Sequence, residues 1–118
     1  PNHFILYKPS EVISGDFYWM QRMEFSTLVA VVDCTGHGIP GAFMSMIGND
    51  LLNQIVLEKN ITNPAWILTE LHYAVRHALR QTNDLSSNQD GMDVCLCRID
   101  HDGITFAGAR RPLYIVQN

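Results

Sequence analysis

The sequence predicts an α+β domain in which antiparallel strands carry two long helices. Three observations predict it. Leu28 to Val32 is an unbroken apolar run containing Val29, Val31 and Val32, and reads as a strand buried on both faces. Two later stretches, from Pro40 and from Pro64, space their apolar residues by three and four, the period of a helix. The last third returns to alternation around His101-Asp102-Gly103, a turn of the kind that closes a β-hairpin.

Taken in order, Phe4 to Tyr7 reads as a short edge strand closed by Lys8-Pro9-Ser10, since proline removes a ladder donor. Phe17 to Gln21 is a second strand with Asp16 at its start, and the polar residues Gln21 to Glu24 turn the chain back. Pairing that strand antiparallel with Phe25 to Val32 brings Asp16 and Asp33 to the same end of the sheet. Three glycines, Gly36, Gly38 and Gly41, follow Asp33 closely and permit a turn, and Pro40 suits the first turn of a helix.

That helix repeats Phe43, Ile47, Leu51 and Ile55, widened by Met44, Met46 and Leu52, and should end near Glu58. Asn63 then caps a second helix with Pro64 at its first position and an apolar face of Ile67, Leu68, Leu71, Ala74, Val75, Ala78 and Leu79. Both helices are expected to pack on one sheet, through Phe43, Ile47, Leu51 and Ile55 and through Leu68, Leu71, Val75 and Leu79. The polar stretch from Thr82 to Asp90 is expected to be a mobile loop. Met92, Val94 and Leu96 alternate with Asp93, Cys95 and Cys97, then Ile104 to Ala107 and Leu113 to Val116 complete a meander.

Composition limits the function classes. With 118 residues, 47% of them hydrophobic, the chain reads as a single globular domain with a sizeable core. A formal net charge of −4 and dispersed Lys and Arg argue against a nucleic-acid surface. There is no apolar run of the ~18 residues that a membrane span requires, and no signal-peptide pattern, so the expected location is cytoplasmic. Cys34, Cys95 and Cys97 are expected to be reduced thiols.

A carboxylate at the end of a buried strand is expected to meet a cation or backbone amides. Two of them at one sheet end suit hard divalent ions, which prefer oxygen ligands, although Asp beside Gly also caps turns. The motifs Ser14-Gly15-Asp16-Phe17-Tyr18, Asp33-Cys34-Thr35-Gly36-His37-Gly38-Ile39-Pro40-Gly41-Ala42, Asp90-Gly91-Met92-Asp93, and Ala107-Gly108 followed by Pro112-Leu113 span nearly the whole chain. Together they resemble the SpoIIE-like branch of the PPM metal-dependent serine/threonine phosphatases.

The resemblance implies an αββα sandwich in which two antiparallel sheets flank two Mg²⁺ or Mn²⁺ ions, with a metal-activated water attacking phosphoserine or phosphothreonine. It implies that Asp16 and Asp33 are metal ligands, with the backbone carbonyl of Cys34 as another. The family's further ligating aspartates, in an Asp-Gly motif and an Asp-Asp or Asp-Asn motif, would follow Asn118. Asp90 and Asp93 precede the last hairpin and do not take those places. The chain is therefore expected to be the N-terminal portion of such a domain, weakly active or inactive alone and prone to form homodimers. The resemblance also implies a phosphorylated regulatory protein as substrate and a fused sensory or receiver region in the full-length protein.

Other readings use the same residues. Gly36-x-Gly38-x-x-Gly41 follows a strand and opens a helix, as a dinucleotide-binding turn does, but Asp33 has the wrong charge beside a pyrophosphate. Cys34, His37, Cys95 and Cys97 offer a zinc set, set against the common role of unpaired cysteine as a small buried hydrophobe. Cys34 with His37 as a base makes a catalytic pair lacking a third orienting group. His37 belongs to the glycine turn, where it serves substrate contact or structure; His3, His72, His77 and His101 read as surface or helix-face residues. Arg110-Arg111 is either a solvated turn or a phosphate contact, since guanidinium binds oxyanions bidentately. A non-catalytic interaction module remains the alternative to an enzyme.

Overall fold

The computed structural model describes residues 2–8, 14–34, 38–81 and 91–117. It contains β1 (Asp16–Arg22), β2 (Ser26–Cys34), α1 (Gly38–Asn53), a π-helical turn (Gln54–Glu58), α2 (Pro64–Gln81), β3 (Met92–Asp100) and β4 (Gly103–Ala109). The strands form one antiparallel sheet in the order β1-β2-β3-β4. This is the predicted α+β class: one sheet bearing two long helices on one face.

Alternation along the strands makes the two faces chemically different. Leu28, Ala30, Val32 and Cys34 of β2 and Val94 and Leu96 of β3 are buried beneath the helices. α1 lies against β1 and β2, and α2 against β3 and β4. Burying a side chain such as Leu52 or Ile67, each 0% exposed, contributes about 1.5–3 kcal/mol. Trp19 enters the same core and its indole Nε1–H donates to Asn53 Oδ1 at 2.9 Å, so its one polar group is satisfied.

α2 follows the sequence closely. Asn63 Oδ1 accepts from the Trp66 N–H at 3.2 Å, the expected N-cap bond, and Pro64, Ile67, Leu71 and Val75 are buried. α1 does not. Phe43 is 61% and Met46 63% exposed, while Met44, Gly48, Leu52, Ile55 and Val56 face the core. The face is set by Gly48: a Cβ there would meet Met92 Cε at 2.9 Å and Phe17 Cζ at 3.0 Å, so the helix approaches the sheet where it carries no side chain. The π-helical turn, closed by Lys59 N–H donating to Gln54 O at 3.0 Å, then changes the phase and buries adjacent Ile55 and Val56.

Two expected strands are absent. Phe4 to Tyr7 forms no ladder; this segment lies over the sheet's second face, enclosing with it a groove of about 850 Å³, and the Tyr7 hydroxyl donates to the Asp16 carbonyl at 2.9 Å. Leu113 to Val116 also makes no strand, with Tyr114 84% and Val116 91% exposed. The chain leaves β4 through Arg110 at φ 62° and then Pro112, which lacks an N–H, so it cannot continue as a paired neighbour of the edge. Among the described residues there is one sheet rather than two. The loop expected to be mobile, from Thr82 to Asp90, lies outside the described residues.

Candidate metal centre

The β1–β2 hairpin pairs Asp16 directly with Asp33, as its sequence predicts. The β2–β3 ladder then pairs Asp33 directly with Asp93. Three carboxylates therefore stand in a row across adjacent strands, on the face away from the helices. Side chains directly opposite on a sheet have Cβ atoms about 4.5–5.5 Å apart, and like charges there are destabilising. At such spacing each repulsion amounts to roughly 1–3 kcal/mol for an effective dielectric between water and a protein surface.

Local bonds fix this end of the sheet. The Asp16 N–H donates to Ser14 Oγ at 3.0 Å, and the Cys34 N–H donates to the Gly15 carbonyl at 3.3 Å, extending the ladder one residue past Asp16. Burial raises the Asp16 carboxyl above its ordinary value, as do a hydrogen bond to Asp33 and its negative charge, partly offset by Arg111. The Cys34 thiol is pushed up to about 12, first by burial and then by the charges of Asp16 and Asp33. A thiol so strongly protonated is a poor nucleophile, which removes the catalytic pairing of Cys34 with His37.

The countercharge comes from the segment after β4. The Arg111 guanidinium bonds to Asp33 Oδ2 and lies 3.5 Å from Asp93 Oδ2. Arg110 Nε is 3.6 Å from Asp93 Oδ1 on an arm that is 86% exposed. Gly108 makes this return possible, because a Cβ there would stand 2.4 Å from the Arg111 carbonyl oxygen. The arginine pair of the sequence is thus brought to the carboxylates, Arg111 closely and Arg110 on a largely solvated arm.

The remaining candidates separate. His37 lies outside the described residues. Cys34 faces the helices, whereas Cys95 and Cys97 project from the other face of β3, so the zinc set is not assembled. The antiparallel pairing of β2 with β3 excludes the dinucleotide reading, which needs a parallel crossover. Asp100, His101 and Asp102 bring ligand atoms within 4.8 Å of one another, but the Asp102 N–H donates to Asp100 Oδ1 at 2.9 Å, which accounts for the group as hairpin-turn geometry.

Sequence reasoning missed Asp93. Its signal was the rule that placed Asp16 beside Asp33: an acid opening a strand meets an acid closing its antiparallel neighbour. The donors gathered here are carboxylate oxygens, with the Cys34 carbonyl one residue beyond Asp33, and such a set suits Mg²⁺ or Mn²⁺ rather than a thiophilic metal. Asp16 and Asp33 are a direct cross-strand pair, and Asp33 helps to raise the Asp16 carboxyl.

A solved structure, the SiaA-PP2C domain of Pseudomonas aeruginosa, superposes with a TM-score of 0.76 at 37% sequence identity, covering 91% of this chain and 42% of that one. The fold matches part of a PP2C domain, and the similarity supports a phosphatase-type function. The chain spans less than half the length of that chain. No protein-family model and no curated protein matches the sequence. Among the described residues, no helix is long and apolar enough to cross a membrane.

Proposed function

We propose that the chain is part of a metal-dependent serine/threonine phosphatase domain of the SpoIIE-like kind, acting on a phosphorylated regulatory protein. The observation that carries this reading is the register Asp16–Asp33–Asp93, a repulsive arrangement that a bound cation would relieve. Asp16 and Asp33, with the Cys34 carbonyl, would hold Mg²⁺ or Mn²⁺. When bound, such a metal pair supplies a water of lowered pKa near neutral pH. Arg111, with Arg110 beside it, would orient phosphoryl oxygens at the same end of the sheet, since guanidinium binds oxyanions bidentately. His37, in the glycine-rich sequence after Asp33, is the further candidate for contact with the phosphate.

The resemblance supports a cytoplasmic signalling role with a fused sensory or receiver region. It also supports a second metal position completed by aspartates outside this sequence, and therefore little turnover by these 118 residues alone. A non-catalytic docking module is the second reading, favoured by the apolar strip of Tyr18, Val31, Ile104 and Phe106, which are 49%, 57%, 54% and 42% exposed on the face away from the helices. The same strip supports self-association. The deciding experiment is Mn²⁺-dependent hydrolysis of a phosphoserine peptide by the full-length protein. Asp33→Asn should abolish it with the fold intact; wild-type turnover with unchanged metal dependence would refute the assignment.

A further inference from the structure

We propose that Arg111 is a displaceable counter-cation: its guanidinium neutralises Asp33 and Asp93 while no divalent ion is bound, and an ion enters only as Arg111 gives up Asp33. The inference rests on the metal reading of Asp16 and Asp33.

Three observations carry it. One terminal nitrogen, Nη2, serves both carboxylates, bonded to Asp33 Oδ2 and 3.5 Å from Asp93 Oδ2, so a single positive group lies between two negative ones. The oxygen it holds belongs to the residue that faces both other acids, so an ion using that oxygen would bring its charge against the guanidinium. Lastly, Arg111 belongs to no strand, its side chain is 46% exposed, and Asp93 remains as a partner once Asp33 is released. The guanidinium can therefore move without breaking the β2–β3 ladder.

Its position is built into the backbone. The chain reverses at Arg110, in a left-handed conformation at φ 62°, and passes so close to Gly108 that any side chain there would strike the Arg111 carbonyl. Competition then follows from population arithmetic: the apparent metal affinity falls by the fraction of molecules whose Asp33 is already taken. Arg111 would also couple two events, because the guanidinium released by metal entry becomes available to an oxyanion at the same sheet end.

The test is Mn²⁺ binding to the full chain, read from loss of the free-ion electron paramagnetic resonance signal, with no turnover involved. Arg111→Gln should tighten binding roughly tenfold, the scale of losing one charge-assisted contact that competes for the ligand oxygen. Arg110→Gln removes the same charge from a neighbour that does not touch Asp33, and should change affinity by less than about twofold, as exposed charge pairs do. Arg111→Lys keeps a charge without the planar fork and should fall between wild type and Gln, and it carries the test if the Gln variant does not fold. Arg111→Gln or Arg111→Lys binding no tighter than wild type, or Arg110→Gln tightening as much as Arg111→Gln, overturns the proposal while loss of binding in Asp33→Asn still upholds the metal reading. Undiminished binding in Asp33→Asn overturns both.

Discussion

Asp16 and Asp33 face each other as a direct cross-strand pair at one end of the sheet, close enough for Asp33 to bear on the proton of Asp16. Burial and Asp33 hold the Asp16 carboxyl above its ordinary value, so the folded state binds this proton more tightly than the unfolded state. The sign is therefore the reverse of an ordinary salt-bridged acid. Stability falls as pH rises from the unfolded value of 3.8 through the higher folded value, and the penalty is fully present above both. Asp16→Asn should raise the melting temperature of the metal-free protein at pH 7, with the gain vanishing in acid. A lowered melting temperature at pH 7 would show that Asp16 is stabilised as an anion.

The helix faces give a paired prediction. Leu71 is 3% exposed and Phe43 61% exposed, although both belong to apolar repeats in the sequence. Leu71→Ala should cost about 2–5 kcal/mol in urea unfolding, and Phe43→Ala should stay within ~0.5 kcal/mol. Equal losses would mean that α1 is rotated from the position described.

What could be read from the sequence was local. The β1–β2 hairpin has its turn within a few residues, so the opposition of Asp16 and Asp33 followed from chain direction alone. Asp93 joins the same row only through the pairing of β2 with β3, after both helices have intervened, and no local pattern fixes that register. α1 misled because Gly48 faces the sheet, and glycine leaves no mark in a hydrophobic repeat. Leu113 to Val116 has strand-forming residues but lies beyond the bend at Arg110, and propensity does not supply a neighbour to pair with. Arg110 and Arg111 were legible as candidate phosphate contacts, but their pairing with Asp33 and Asp93 needed the fold.

Gly108 offers a test of how Arg111 is delivered. A methyl group at this position would lie 2.4 Å from the Arg111 carbonyl oxygen, so Gly108→Ala must open the turn. The expected loss is ~1–3 kcal/mol of stability, as for overpacked sites. Chemical-shift changes should extend to Asp33 and Asp93 rather than stop at β4. A neutral substitution would show that the turn has room.

The thiols should be quiet in the native state. Cys34 and Cys97 are buried, with values pushed up to about 12 and about 11. At pH 8 the thiolate fraction of a group near 12 is on the order of 10⁻⁴, so iodoacetamide should label native Cys34 far more slowly than the urea-unfolded residue. Equal rates, read by mass spectrometry, would place Cys34 outside the core.

Calorimetric titration of Mn²⁺ into the 118-residue chain and its Asp33→Asn variant tests the central claim most directly. Asp16 and Asp33 as a cation-holding pair predict weak, saturable binding of at most one ion, lost in the variant, because two close divalent ions need more negative charge than these residues supply. Binding that survives Asp33→Asn unchanged, or tight uptake of two ions by the wild-type chain, would contradict it.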